Sequence, residues 1–226
     1  MCGRYTLTVD PNLIMAEYQI INDFTDQYEM RYNIAPSQGA LSIISDGENR
    51  RAGYLRWGLI PFWSKDEKIG YKLINARSET LHEKPSFKNA FKKRRCLVMA
   101  DGFYEWKRTE DKKQPMRITL KDKKIFAMAG LWEKWTSPEG QDIHSCTIIT
   151  TKPNDLMEEI HDRMPAILTR EQEQIWLNRS IEDTNILQDV LTPYDASKME
   201  AYKVSTLVNS PKNDSEVLME RVVEQQ

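Results

Sequence analysis

The sequence has few of the residues that would define a simple class of protein. Its three cysteines lie far apart and form no CxxC pair, which argues against a disulfide framework or a zinc ribbon. Its three histidines form no HExxH motif, so we expect no metal and no cofactor. A formal charge of −2 gives no overall attraction to nucleic acid, and any such binding must come from a local patch.

Long apolar runs, repeats and flexible linkers are also missing. No stretch approaches the ~18 apolar residues of a membrane helix, and none has the form of a secretory signal, so we expect a cytoplasmic protein without membrane contact. With 226 residues, of which 40% are hydrophobic and 29% charged, the chain has the composition of a globular domain. We predict a single domain over residues 1–211 and a polar, loosely docked tail over residues 212–226.

Apolar, β-branched and aromatic runs interrupted by polar clusters predict the strands. Because they follow one another instead of alternating with long helices, the pattern favours an α+β fold with largely antiparallel sheets. The predicted strands are residues 5–9, 41–45, 54–59, 96–106, 116–120, 125–132, 143–150 and 202–207.

Four shorter segments have helical features. Asp10 before Pro11 predicts an N-cap and a first helical residue, and Thr169 with Gln172 has the spacing of a capping box. Ser86 is expected to cap a short helix that carries two phenylalanines on one side. Residues 181–191 form the last helical candidate.

Cys2 has a chemistry that no internal cysteine has. Removal of Met1 would leave a free α-amine and a thiol on adjacent carbons, and an α-amine with a pKa of roughly 7.7–8.0 is partly neutral at pH 7. Such an amine condenses with an aldehyde to a Schiff base, and the neighbouring thiolate then closes a five-membered thiazolidine ring. The dipeptide alone leaves two other interpretations open. In the first, Cys2 has no functional role. In the second, it is the nucleophile of an enzyme that resembles the class II glutamine amidotransferases, which also begin Met-Cys-Gly.

Seven ordered motifs cover essentially the whole chain. They are CGRY (2–5), RYNIAPSQ (31–38), WGLIPFW (57–63), NARSET (75–80), RRCLVMADGFYEWK (94–107), HDRMPAIL (161–168) and VSTLVNSPKND (204–214). In this order and spacing the sequence resembles the SRAP family (SOS-response-associated peptidases), whereas the resemblance to amidotransferases stops at Gly3.

The resemblance implies a fold and a function. The fold is a barrel- or sandwich-like core of largely antiparallel sheets with peripheral helices. The function is the recognition of abasic sites in single-stranded DNA and formation of a covalent thiazolidine crosslink through Cys2, which shields the lesion. Lyase activity at the abasic site and autocatalytic removal of Met1 are further implied. We expect a monomer that joins the nucleoid when it binds DNA.

The resemblance also assigns catalytic roles. Cys2 is the nucleophile, and Glu105 is the acid/base beside its amine. His161 hydrogen-bonds the opened sugar, and Asn75 orients Cys2 and the lesion. From the residues alone, the favoured interpretation of Glu105 is an ion pair with an arginine, and the alternative for Asn75 is a loop residue that caps the segment 77–83.

DNA contacts are assigned to five further residues. Arginine forks suit phosphate oxygens, and an aromatic ring stacks on an exposed base. The contacts are Arg4, Arg77, Thr150 and Arg163 for phosphates and Trp106 for a base. Trp63 and Pro36 are candidates for the same groove, and the basic window 84–95 is either an approach surface or a solvated helix face.

The sequence is also consistent with two other functions. The first is an N-terminal-nucleophile amidohydrolase, and the second is a non-covalent reader of modified DNA bases. A covalent product with DNA that depends on Cys2 would distinguish the crosslinking function from both.

Overall fold

The computed structural model describes residues 2–110 and 113–222. In these ranges the strands are β1 (Arg4–Leu7), β2 (Arg31–Ile34), β3 (Gly39–Ser45), β4 (Arg50–Trp57), β5 (Asn75–Arg77), β6 (Arg95–Ala100), β7 (Gly102–Arg108), β8 (Lys113–Leu120), β9 (Phe126–Thr136), β10 (Asp142–Thr151), β11 (Met164–Pro165), β12 (Ile167–Leu168) and β13 (Met199–Lys203). The α-helices are α1 (Pro11–Tyr18), α2 (Lys88–Lys93), α3 (Asp155–Glu158), α4 (Arg170–Leu177) and α5 (Thr184–Asp189).

The strands form two sheets. One has five antiparallel strands in the order β13-β8-β7-β1-β2, and the other follows β11-β10-β4-β3-β6-β9-β12, with β5 added beside β10. Because β10 also pairs with β9, the strands β10, β4, β3, β6 and β9 close into a barrel. Only the pairings of β10 with β4 and with β5 are parallel among the described ladders. The predicted α+β fold with a barrel-like, largely antiparallel core is confirmed.

One predicted strand is in fact two. Residues 96–106 were expected to run as a single strand, but the chain breaks at Asp101 and passes from β6 in the barrel to β7 in the five-stranded sheet. The Asp101 carboxylate accepts hydrogen bonds from Thr6 and Thr8 at β1, which fixes this corner. The sequence does not reveal the break at Asp101, because β6 and the first part of β7 are both buried and form one continuous apolar pattern.

Helix starts follow the predicted caps in two of three cases. Asp10 accepts a hydrogen bond from the N–H of Asn12 at the start of α1, and Thr169 forms the reciprocal capping box of α4. The prediction for Ser86 is wrong. Phe87 is the N-cap residue of α2 and makes no side-chain cap, so burial of Phe87 and Phe91 against the barrel defines this helix instead.

The last described residues of the chain are docked along the five-stranded sheet, and residues 223–226 of the predicted tail lie outside the described residues. We call residues 206–222 the C-terminal strap. Its Val208 and Leu218 are buried in a cluster with Tyr104 of β7. Asn33 donates hydrogen bonds to three strap carbonyls, those of Val208, Ser210 and Asn213, at 3.2, 3.0 and 2.9 Å. Residues 212–222 of the predicted tail therefore lie against the sheet, where the N–H of Val222 donates to the carbonyl of Lys203 at 3.0 Å.

None of the helices in the described ranges combines the length and apolar composition that a bilayer crossing requires.

Candidate functional site

The register of β1 against β7 brings Cys2 beside Glu105. Arg4 pairs with Tyr104 in an antiparallel ladder, so the two residues before Arg4 run alongside the residues that follow Tyr104. Cys2 and Glu105 are fully buried or nearly so, with 0% and 2% of their surface exposed. Alternation along β7 turns Glu105 away from the strap, which Tyr104 and Trp106 contact from the other face.

Burial makes Glu105 a group that can exchange a proton at neutral pH. Removal from water disfavours the carboxylate and raises the pKa of Glu105 from 4.5 to about 7. A general acid/base works best with a pKa near the operating pH. Glu105 therefore has the protonation equilibrium that the assigned role requires.

The Cys2 thiol is protonated in these surroundings. Burial raises the pKa of Cys2, and the negative charge of Glu105 raises it further, which shows that the two groups interact electrostatically. A buried, protonated thiol is a weak nucleophile because the thiolate is the reactive form. A nucleophilic role for Cys2 would therefore require a change that exposes the thiol and lowers its pKa.

His161 lies at the turn that follows α3. Its backbone N–H donates to the carbonyl of Met157 at 2.7 Å, which ends the helix. Its ring nitrogen Nδ1 accepts a hydrogen bond of 3.0 Å from the backbone N–H of Arg163, and a carboxylate oxygen of Asp162 lies 2.9 Å from the same nitrogen. Burial lowers the pKa of His161, which favours the neutral imidazole.

Asn75 is the first residue of β5, which runs parallel to the end of β10. Its side-chain nitrogen donates weakly to the carbonyl of Ile148 at 3.5 Å. Its side-chain oxygen is buried and has no hydrogen-bond partner within the described part of the chain. An unsatisfied buried acceptor is costly, so this oxygen suits a donor that arrives with a substrate or from a rearranged N-terminus.

An open cavity lies between β7, the start of β8, the turn that carries His161, and the strap. It has a volume of about 460 Å³ and is lined by Glu105, Trp106, Arg108, Lys113, His161 and Asn209. A neighbouring cavity of about 680 Å³ shares Trp106, Arg108 and His161. The structure thus brings Glu105 and His161 to one surface, whereas Cys2 and Asn75 are absent from the lining of both cavities as described.

Trp106 is held at the edge of the cavity by the strap. Its ring nitrogen donates a 2.7 Å hydrogen bond to the side-chain oxygen of Asn209. The indole is only partly buried, so one part of it packs on the strap cluster and another part faces the cavity. Trp106 is therefore neither a core tryptophan nor a freely exposed one.

The expected phosphate contacts fall into two groups. Arg77 is exposed at the end of β5. Arg4 donates to Asn33 and to the carbonyls of Val208 and Asn209, at 2.9, 2.7 and 3.1 Å. Thr150 and Arg163 are buried, with 1% and 8% exposure. Arg77 is therefore the exposed member of this set, Arg4 is partly buried with its guanidinium hydrogen-bonded, and Thr150 and Arg163 are buried.

The two remaining sequence candidates lie on the surface. Trp63 is 48% exposed, beside an equally exposed Phe62, and Pro36 is half-buried. In the basic window, Lys88, Lys92 and Lys93 project from α2 into solvent, while Arg95 is buried and donates to backbone carbonyls such as that of Trp176. Part of the basic window is therefore structural.

Three lining residues were missed by the sequence analysis, namely Arg108, Lys113 and Asn209. Arg108 is the last residue of β7 and Lys113 the first residue of β8, and charged residues at strand ends are common and carry no specific meaning. Asn209 lies inside the motif 204–214, which the resemblance marks without giving any residue in it a role. Residues 2–110 and 113–222 contain no group of three or more His, Cys, Asp or Glu that could hold a metal ion.

Comparisons with known proteins cover nearly the whole chain. A protein of Bacillus subtilis (strain 168), "Abasic site processing protein YoqW", is 59% identical over 222 residues, which are 97% of this chain and 99% of that protein. The "Abasic site processing protein HMCES" of Xenopus tropicalis is 32% identical over 88% of this chain and 68% of its own length.

A solved structure shares the fold. A crystal structure of a protein from Bacteroides thetaiotaomicron superposes with a TM-score of 0.88 at 32% identity, over 98% of this chain and 100% of that one. The sequence model described as "SOS response associated peptidase (SRAP)" matches residues 1–211. The motifs and the fold agree with these matches, and the chain belongs to the SRAP family.

Proposed function

We propose that this protein processes abasic sites in single-stranded DNA by forming a covalent bond through Cys2. The observation that carries the proposal is Glu105, a buried carboxylate with a pKa of about 7, which interacts with Cys2 and lines a cavity together with His161. The relatives named as abasic site processing proteins support the same substrate.

The reaction begins when Cys2 is the first residue. Its neutral amine attacks C1′ of the ring-opened deoxyribose, which is an aldehyde, and loss of one water gives a Schiff base. The thiolate then attacks the imine carbon, the imine nitrogen takes a proton, and a thiazolidine ring closes. The net reaction joins protein and DNA with release of one water. Closure is intramolecular, which makes it fast relative to attack by an external thiol.

Glu105 and His161 divide the proton transfers between them. Glu105 accepts the proton that the attacking amine loses and returns it to the departing hydroxyl. His161 donates a hydrogen bond to the sugar oxygen that is freed when the ring opens. Asn75 offers its unsatisfied oxygen to the amine of Cys2 and so orients it.

Removal of Met1 prepares the nucleophile. A new ammonium group on Cys2 itself places a positive charge next to the thiol and near Glu105, and an opposite charge lowers the pKa of both. Removal proceeds by attack of Cys2 on the preceding peptide or by an aminopeptidase. A Schiff base that does not close to a thiazolidine permits β-elimination of the 3′ phosphate, which is the lyase activity we propose as a side reaction.

DNA reaches the cavity along its polar edge. Arg77 contacts a phosphate near the lesion, and Trp106 stacks on the base beside the gap, which contributes about 1–3 kcal/mol. Arg4 and Thr150 support this edge from positions that are already hydrogen-bonded or buried. The protein acts in the DNA damage response on this proposal and binds as a monomer.

A denaturing gel tests the proposal. Protein shown by intact mass to begin at Cys2 is mixed with single-stranded DNA that carries one abasic site, and we expect a band of the summed mass. Cys2→Ala should abolish the band, and so should an extra residue retained before Cys2, because its α-amine is then an amide. Labelling of the Cys2 thiol by an alkylating reagent should become faster once Met1 is removed.

Two results would contradict the proposal. A wild-type protein that forms no covalent band is not a crosslinking protein, and if it hydrolyses glutamine it is an amidohydrolase. Lesion-dependent affinity that persists in Cys2→Ala, without a covalent product in the wild type, would instead identify a non-covalent reader.

A further inference from the structure

The guanidinium of Arg163 is already occupied inside the protein. Its two terminal nitrogens donate to the two carboxylate oxygens of Glu79 at 2.8 and 2.9 Å, and one of them also donates to the carbonyl of Thr150 at 2.6 Å. The remaining nitrogen, Nε, is buried. A phosphate could reach this guanidinium only by displacing a bidentate carboxylate, which is the strongest type of ion-pair geometry.

This ion pair fixes the backbone on both sides of the site. Glu79 lies in a short 3₁₀ helix, Ser78–Thr80, that directly follows β5 and its Asn75. Arg163 directly precedes β11, which pairs with the end of β10. The segment that carries Asn75 is therefore tied to the segment that carries His161 across 84 residues of sequence.

The backbone N–H of Arg163 acts on His161. It donates to Nδ1 of the imidazole at 3.0 Å, and a nitrogen that accepts a hydrogen bond carries no proton. The neutral ring therefore has its proton on Nε2. The Asp162 carboxylate, 2.9 Å from the same Nδ1, is a partner only when Nδ1 is protonated, because a carboxylate accepts and does not donate.

We propose that the Glu79–Arg163 ion pair is a positioning device for His161, which acts through the backbone N–H of Arg163 and sets which ring nitrogen carries the proton, while Asp162 holds the protonated ring. This rests on the proposed function, since it concerns how His161 acts on the sugar. It gives Arg163 a role different from the phosphate contact that the family resemblance implies.

Several charged groups surround His161 besides Asp162. Glu105 and Arg108 reach the cavity from β7, Lys113 from β8, and Glu158 and Glu159 from α3 and its end. Burial and the positive charge of Arg108 lower the pKa of His161, and Asp162 raises it. Glu79→Gln and Asp162→Asn each change one carboxylate and leave the other charged groups around His161 in place.

Nuclear magnetic resonance on the protein without DNA tests the positioning directly. Nitrogen-15 shifts of His161 should show the proton on Nε2 in the wild type. In Glu79→Gln the N–H of Arg163 is held less firmly, the neutral ring loses its partner, and the titration of His161 should move to higher pH. Asp162→Asn removes the partner of the protonated ring, so the titration should move to lower pH. Asp162 is 83% exposed, so this variant should fold even if the first does not.

Crosslinking kinetics then separate positioning from phosphate binding. Glu79→Gln should slow crosslink formation by between about 10- and 100-fold and shift its pH profile, with no change in the salt dependence of DNA binding. Arg77→Gln is the matched control, because Arg77 is an exposed arginine of the same motif. It should reduce the slope of log affinity against log salt by about 0.7 and leave the pH profile unchanged.

Two outcomes overturn the inference. One is a His161 tautomer and titration that are identical in the wild type, Glu79→Gln and Asp162→Asn. The other is a loss of salt slope in Arg163→Lys equal to that in Arg77→Gln, which would identify Arg163 as a phosphate contact. A wild-type protein that forms no crosslink would overturn the proposed function instead, and the nuclear magnetic resonance result would still decide the role of the ion pair.

Discussion

Glu105 and Glu79 are two carboxylates on opposite sides of the site, and their surroundings shift their pKa values in opposite directions. Burial raises the pKa of Glu105 to about 7. The hydrogen bonds from Arg163 lower the pKa of Glu79. A carboxylate near neutrality can exchange protons with a substrate, whereas one that is held charged serves as a fixed anchor. On the proposed function, the five-stranded sheet supplies the proton-transfer group Glu105, and the segment after β5 beside the barrel supplies the anchor Glu79.

We expect the largest effect from a substitution that removes the proposed proton-transfer group, Glu105. Glu105→Gln keeps the shape of the side chain and removes its ability to accept a proton. We expect crosslink formation to slow by between about 100- and 10,000-fold, the range that general acid/base catalysis contributes. Single-turnover rates on abasic DNA measure this, with Arg77→Gln as the control. A rate within threefold of the wild type would show that Glu105 is not the proton acceptor.

The same substitution should stabilise the protein at high pH. The pKa of Glu105 is higher in the folded than in the unfolded chain. Burial of its carboxyl group therefore leaves the free energy of unfolding unchanged below pH 4.5 and lowers it increasingly as pH rises towards 7. At pH 8 Glu105→Gln should raise the free energy of unfolding by about 3 kcal/mol, and at pH 4 by nothing. Denaturant unfolding at both pH values measures the difference. Equal gains at both would rule out the charge as the cause.

Trp106 lines the same cavity as Glu105 and transfers no proton, so its substitution separates DNA binding from proton transfer. Trp106→Ala should weaken binding of abasic DNA by about 1–3 kcal/mol through lost stacking, without altering the pH profile of crosslinking. Asn209→Ala removes the hydrogen bond that orients the indole and should have a smaller effect in the same direction, about 1 kcal/mol. Fluorescence anisotropy of labelled DNA measures both, and a shifted pH profile in either variant would contradict this division of roles.

The smallest expected effect concerns the anchor. The folded-state pKa of Glu79 is depressed, so its contribution to stability is present above the ordinary glutamate pKa and is lost as pH falls. Because Glu79 is partly exposed, Glu79→Gln should cost at most about 1 kcal/mol at pH 7 and less at pH 3. Thermal unfolding at these pH values measures it. A variant that gains stability at neutral pH, as expected for Glu105→Gln, would contradict the assignment.

How much of this the sequence could predict depends on the range of each interaction. The caps at Asp10 and Thr169 act over two or three residues, so their patterns were sufficient. The break between β6 and β7 depends on a hydrogen bond between Asp101 and Thr6 of β1, 95 residues away, which no local pattern contains. The strap docks largely through its backbone carbonyls, and every residue has one, so its polar composition suggested a loose end.

At the candidate site, too, the sequence predicts what local motifs contain and not what depends on contacts between distant segments. The motif order identified Glu105, His161 and Cys2 as a set, and the structure brings the first two to one cavity. The raised pKa of Glu105 follows from complete burial, which the fold decides. The pairing of Glu79 with Arg163 depends on two motifs meeting in space, although each motif was visible in the sequence.

The bonds from Arg4 to the carbonyls of residues 208 and 209 have a consequence for biosynthesis. Arg4 is made 204 and 205 residues before these two carbonyl acceptors. During translation its guanidinium therefore lacks the partners that hold it until residues 208 and 209 have been made and have folded onto the sheet. On the proposed function, the neighbouring Cys2 of a nascent chain would meet aldehydes without these surroundings, and full reactivity towards DNA should arise only after the strap has docked.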